Sequence, residues 1–255
     1  MIRKRSLMSD ICENKRRKLI CGDSESSIDA LPSDTKSALS YIASSFPTEK
    51  FTNKFPPIVL RHQIYAFVKC RTDVDKELNE LKNKGELILF RIGERNNQLA
   101  IIYTNDYTEY IDRSCRKSPV IENFLKKVLA VCPNIKYSNT VLRTDYGFCE
   151  EDIAELIQQG VLILGQDVGW YWLSIPRVGE FMKTFLYGRR AILQHVRRTK
   201  YKEILLNELQ QRKLPKKALL GVSYHIYDII GSDAVNKIDT SSGVMLRLLT
   251  EHIRI

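Results

Sequence analysis

Eleven lysines and arginines stand between Lys183 and Lys217 against two acids, Glu203 and Glu208. The chemistry open to such a stretch is displacement of counterions from a phosphate backbone, a sequence-independent source of affinity for nucleic acid. Of the chain's formal +10, this stretch carries a net +9. A second cluster, Arg3, Lys4, Arg5, Lys15, Arg16, Arg17 and Lys18 less Asp10 and Glu13, carries +5, which leaves the rest of the chain at −4. The positive charge is localised. A basic run can also be a solvated helix face, so the elements around it must decide.

Lys183, Arg190 and Arg197 recur by sevens on one side of a helical pattern. Phe181, Met182, Phe185, Leu186, Ile192, Leu193 and Val196 share the other side. The spacing predicts a helix whose apolar stripe packs on a neighbouring domain and whose basic row faces out. Gly188 interrupts the pattern where a kink would fall, and Arg189 lands in the apolar stripe, where it must snorkel or meet an acid. Arg198, Lys200, Lys202, Arg212, Lys213, Lys216 and Lys217 complete the candidate DNA-binding set, with Pro215 fixing the turn that presents Lys216 and Lys217.

Around this stretch one pattern is written three times. In the first copy Asp34 caps a helix with Ala38, Leu39, Ile42 and Phe46, and Pro56-Pro57 opens a second. A third starts at Thr72 or Asp73 and stops at Gly85, before strands Glu86–Ile92 and Leu99–Thr104. The second copy has helices from Ser118 and over Glu150–Gln159, a stop at Gly160, and strands Val161–Leu164 and Trp170–Ile175. In the third, Thr199 starts a helix, Pro215 opens a short one, and Val222–Ile230 forms another that Gly231 ends. Strands Val235–Asp239 and Val244–Leu248 close it. Three helices, a glycine stop and a two-stranded hairpin describe a winged helix.

The expected fold class is mainly α with small β-hairpins (α+β): three tandem winged-helix domains after a disordered basic N-terminal tail. The expected boundaries are 1–33 for the tail, 34–115 and 116–177 for the first two domains, and 178–255 for a linking helix with the third. In the tail, Arg3-Lys4-Arg5 and Lys15-Arg16-Arg17-Lys18 are spaced like a bipartite nuclear import signal. The alternative is a generic basic arm.

The third copy's last helix, with Ser223, Tyr224, His225 and Tyr227, lacks the Arg, Asn or Gln of a base reader. The cations lie beside it, which favours phosphate positioning with little sequence preference. In the second hairpin Trp170 and Trp172 share a face and Tyr171 points oppositely. One of these faces should be core, while an exposed indole would suit a protein interface. The neutral to acidic balance of the first two copies also suits protein contacts.

Other chemistry finds no foothold. Cys12, Cys21, Cys70, Cys115, Cys132 and Cys149 form no CxxC pair, and the four histidines are scattered, so neither a metal nor another cofactor is expected. No window offers the ~18 uninterrupted apolar residues of a membrane span, and the start lacks the apolar middle of a secretory signal. Phosphoryl transfer needs a glycine-rich loop and a catalytic Asp with a downstream Asn. No GxGxxG or HRD occurs, and Asp145-Tyr146-Gly147, which superficially matches DFG, reads as a turn.

PPIVLRHQIY (56–65), RTDVDKELNELKNKGE (71–86), WYWLSIPRVGEF (170–181), GRRAILQHVRRTKYKEILLNEL (188–209), YHIYDIIG (224–231) and TSSGVMLRL (240–248) resemble the family named inactive serine/threonine-protein kinase 19. The resemblance covers most of the chain after the tail, with gaps around 93–98 and 133–145. It implies three tandem winged helices, a nuclear and chromatin-associated location, binding of double-stranded DNA, and no kinase activity. It also implies a part in transcription-coupled nucleotide excision repair, bridging stalled RNA polymerase II, the Cockayne-syndrome ubiquitin ligase with its repair factors, and TFIIH. The competing reading is a protein–protein adaptor whose basic stretch meets an acidic partner surface. Whether the chain forms a homodimer stays open.

Overall fold

Helix α1 (Thr35–Ser44) starts where the Asp34 carboxylate accepts the Ser37 N–H at 3.0 Å, and it buries Ala38, Leu39 and Ile42. In the computed structural model, which describes residues 32, 34–52, 54–93, 98–129 and 134–249, this helix opens a pattern that occurs three times. The tail residues of the candidate import signal lie outside the described residues.

The first unit continues with β1 (Val59–Leu60), α2 (Arg61–Ile64), α3 (Arg71–Asn83), β2 (Leu87–Arg91) and β3 (Leu99–Tyr103). A connecting helix, α4 (Thr104–Ser114), follows. The second unit holds α5 (Pro119–Phe124), prolonged by a π-helical turn over Leu125–Leu129, then β4 (Lys136–Ser138), α6 (Asn139–Thr144), α7 (Glu150–Gln158), β5 (Leu162–Leu164) and β6 (Trp170–Leu173). The third holds α8 (Val178–Arg197), β7 (Glu203–Leu205), α9 (Leu206–Gln211), α10 (Gly221–Gly231), β8 (Val235–Thr240) and β9 (Gly243–Leu248). Each unit folds a three-stranded antiparallel sheet with its last strand central: β1-β3-β2, β4-β6-β5 and β7-β9-β8. Helix, short strand, two helices and a hairpin wing is the winged-helix order.

Several expectations change. The helix expected from Pro56-Pro57 is the strand β1 followed by the four-residue α2. Thr199 opens a turn into β7, not a helix, and Pro215 begins a turn, with Ala218 N–H donating to its carbonyl at 2.8 Å. The linking helix is α8, the first helix of the third winged helix itself. It stays helical through Gly188. Its apolar stripe holds Phe181, Phe185, Ile192, Leu193 and Val196, but Leu186 is 53% exposed.

The helix stops explain a further change. Gly85 and Gly160 adopt φ of 73° and 79°, and the residue after each donates back to Leu81 and Leu156 at 3.0 Å. In the third unit Asp233 takes that left-handed position, at φ 55°, and Ala234 donates to Ile229. Gly231 is therefore the last residue of α10, and its reason is space. A Cβ there would sit 1.8 Å from the His62 carbonyl oxygen.

Two apolar cores result. One runs through the first two units and takes in Phe181 and Phe185 from the start of α8 and Tyr224 from α10. The other belongs to the third unit, with Ile192, Leu193, Val196, Ile226 and Ile229. Helix α4 ties the first two units together: Tyr107 donates to the Ser174 carbonyl at 2.7 Å and Tyr110 to that of Pro176 at 2.6 Å.

Candidate nucleic-acid interface

The exposed cations of the third unit owe their position to what α8 and α10 bury. Helix α8 turns Phe185, Ile192 and Val196 inward, so Lys183 and Arg190 face solvent two turns apart, roughly 10 Å along the axis. Arg197, the third member of that row, is half-buried rather than outward. Arg189 finds its acid: it donates to Asp228 at 2.9 Å and to the Ser232 hydroxyl at 2.9 Å.

Beyond the end of α8 the chain displays Arg198, Lys200, Lys202, Lys213, Lys216 and Lys217 on turns, all exposed. The two acids of the stretch are both engaged. Glu208 on α9 pairs with Arg212 just past the helix end, which offsets the charge of that arginine, and Glu203 pairs with Arg247 on β9 at 2.6 Å. Arg198 and Lys213 come together across a cleft of about 300 Å³, lined also by Gln194, His195, Leu214 and Pro215. Two cations and an imidazole around a solvent-filled cleft suit an oxyanion such as a phosphate. Sequence reading did not single out His195, whose only signal is its place one turn before Arg198.

Helix α10 holds the position from which a winged helix ordinarily enters the major groove. Here Tyr224, His225, Ile226, Asp228 and Ile229 are buried, and much of that burial is against the first unit. Gln63 Nε2 donates to the Tyr224 carbonyl at 3.0 Å, the Tyr224 hydroxyl donates to the Ile58 carbonyl at 2.8 Å, and His62 Nε2 meets the Asp228 carboxylate at 2.7 Å. The Tyr227 ring packs on Phe67 with centroids 4.7 Å apart and planes tilted by 50°. His225 fills the hollow left by Gly188, where a Cβ would lie 2.0 Å from its Nε2. Burial, the dominant cause, pushes the pKa of this imidazole down to about 4, and Arg189 acts in the same direction against the opposing pull of Asp228. This helix has no free face for a groove.

The corresponding helices of the other units are exposed but carry the wrong charge for phosphate. Helix α7 begins with Glu150, Glu151 and Asp152, and α3 mixes acids with lysines. The second wing is apolar as well as exposed: Ile163, Leu164, Val168 and Trp170 all reach solvent. Tyr171 packs inward, while Trp170 and Trp172 face out and carry Lys136 at 4.1 and 5.5 Å, with Arg91 over Trp172 at 4.7 Å. Asp145 ends α6 in a turn with Gly147 at φ 72°. Among the described residues no group of three His, Cys, Asp or Glu could hold a metal, and no helix is long and apolar enough to cross a membrane.

The topology thus defines a tandem winged-helix protein of α+β class. Residues 29–248 match the family described as inactive serine-threonine protein kinase 19, and the chain belongs to that family. Curated relatives carry the name winged helix repair factor 1. The human protein is 37% identical over 85% of this chain and 86% of its own, and the Xenopus laevis protein is 34% identical over 97% and 99%. The Dictyostelium discoideum protein is 26% identical over 76% of this chain and 59% of its own. The family's description as an inactive kinase accords with a chain that lacks kinase motifs.

Proposed function

We propose that this chain is a nuclear, chromatin-associated DNA-repair factor that holds double-stranded DNA by its phosphates through the third winged helix. The observation that carries the reading is the separation of roles within that unit. Its groove-entering helix is buried, while Lys183, Arg190, Arg198, Lys200, Lys202, Lys213, Lys216 and Lys217 are exposed beside it. Such a surface gives affinity without base readout. Arg197 and Arg212 join it in a lesser role. The name of the relatives supports repair, and the family resemblance extends this to transcription-coupled nucleotide excision repair, with stalled RNA polymerase II, the Cockayne-syndrome ubiquitin ligase and TFIIH as the bridged assemblies. On this reading the functional domains are 34–115, 116–177 and 178–255, preceded by a tail that carries the import signal. The apolar wing Ile163–Trp170 and the acidic α7 favour a protein-contact role for the second unit, so the scaffold would hold DNA with one end and proteins with the other.

Fluorescence anisotropy of the full chain on a generic duplex across a salt series tests the proposal. Binding should fall steeply with salt. Arg198→Ala and Lys213→Ala should each flatten the dependence by about one unit of slope, equally for unrelated sequences. Unchanged slopes, with melting curves showing both variants folded, would remove the cleft from the interface. Absence of salt-sensitive binding by the wild type would leave the adaptor reading.

A further inference from the structure

The turn between α8 and β7 puts an aromatic ring in the middle of the cations. Tyr201 is 70% exposed, the most exposed aromatic side chain among the described residues. Its neighbours in sequence are Arg198, Lys200 and Lys202, all exposed, and the Lys200 ammonium lies 5.1 Å from the ring centroid. The nearest acid in sequence, Glu203, is paired with Arg247.

The turn is built rather than slack. The Thr199 hydroxyl donates to the Val196 carbonyl at 2.6 Å, and the Lys202 N–H donates to the Thr199 carbonyl at 3.1 Å. Lys202 is left-handed at φ 57°, a conformation that residues other than glycine adopt sparingly, and its carbonyl accepts from Leu248 at 3.0 Å. These bonds tie the turn to the end of α8 on one side and to the central strand β9 on the other. The ring stands largely in water, with the Lys200 ammonium over it.

In duplex DNA the bases are already stacked on one another, so the flat face of such a ring finds no free base there; its hydroxyl alone could reach a phosphate. An unpaired base offers that face a partner. Positive charge that tracks the backbone, with an aromatic face on which a base stacks, is the arrangement by which proteins hold single-stranded nucleic acid. The cleft of Arg198 and Lys213 begins three residues before Tyr201, so phosphate and base sites are adjacent in the chain. We propose that Tyr201 is a base-stacking site, and that the third unit takes DNA in which unpaired bases adjoin a duplex. This inference rests on the phosphate-binding reading above and narrows its substrate.

The test compares a blunt duplex with the same duplex carrying a short unpaired bubble, measured by anisotropy with the full chain at fixed salt. The wild type should bind the bubble about five-fold tighter or more, the effect of stacking a single base. Tyr201→Ala should bring the bubble to the affinity of the duplex and leave duplex affinity and its salt slope unchanged. Tyr201→Phe should keep the preference, since the ring and not the hydroxyl carries it. Equal wild-type affinity for the two DNAs would overturn the inference, as would a Tyr201→Ala variant that weakens both equally or neither. In those cases salt-sensitive duplex binding would still stand. If neither DNA is bound in a salt-sensitive way, the underlying reading falls with it.

Discussion

Helices α7 and α10 follow the same short strand and helix in their units and precede the same kind of wing, but they meet different surroundings. Helix α7 buries Ile153 and Leu156 and leaves Glu151 in water. Helix α10 buries six of its eleven residues, and Gln63 meets its Tyr224 carbonyl while His62 and Arg189 meet its Asp228 carboxylate. The lesson is that repeating a winged helix does not repeat its working face. A third helix can be spent on assembling the molecule, and the cations that would have flanked it then act from helix ends and turns.

The sharpest way to break this comparison is Gly231→Ala. The new Cβ would strike the His62 backbone, which has no side-chain freedom to yield, and α10 must separate from α2. The expected loss is about 3 kcal/mol or more of stability, read by denaturant unfolding. A variant as stable as wild type would show that the α10–α2 packing is loose. The equivalent position of α7 is Gln158, so Gln158→Ala should leave that helix in place.

Acid sharpens it next. His225 is neutral in the fold because its pKa falls from the usual 6.5 to about 4. The unfolded chain therefore binds a proton first as pH drops. The contribution of this group is complete above about pH 6.5 and fades as pH falls toward 4, by on the order of 3 kcal/mol at most. Melting curves of wild type and His225→Leu should converge or cross over that window, and parallel curves would show that His225 is not held neutral.

The smallest effect belongs to α7. Glu151→Ala on its exposed face should change stability by no more than about 0.5 kcal/mol in the same unfolding experiment. A larger loss would mean that α7, too, is engaged in holding the fold.

Periodicity made the long helices legible in the sequence. Val74, Leu78 and Leu81 of α3 and the stripe of α8 repeat often enough to be read, and the hairpins announce themselves by Gly85 and Gly160. The strands β1, β4 and β7 did not, because two or three residues are too few for an alternation, and Val59-Leu60 or Ile204-Leu205 fit a helix equally well. Asp233 was missed because an aspartate in the left-handed region looks like any other turn residue, while Gly231, where the helix does end, drew attention two residues earlier. For the candidate interface, the sequence located the cations but not their exposure. That Arg197 is half-covered, that Arg212 is paired and that Arg189 is taken by Asp228 depends on partners elsewhere in the fold. The burial of α10 depends on residues about 166 positions away, which no local pattern reports.

That separation also shapes how the protein is made. Residues 41, 58, 62, 63 and 67 leave the ribosome long before Tyr224, Tyr227 and Asp228 exist to cover them. At about 5–20 residues per second, the wait is on the order of 10–30 s. During it the first winged helix can fold its own sheet yet must keep Phe67 and the Gln63 amide open to its surroundings. A messenger truncated after the first unit, between codons 115 and 224, would make that opening permanent, giving a product with a sound first unit and an uncovered sticky face. Premature termination near the C-terminus should therefore mark the chain for chaperone capture and degradation, well beyond the loss of the residues removed.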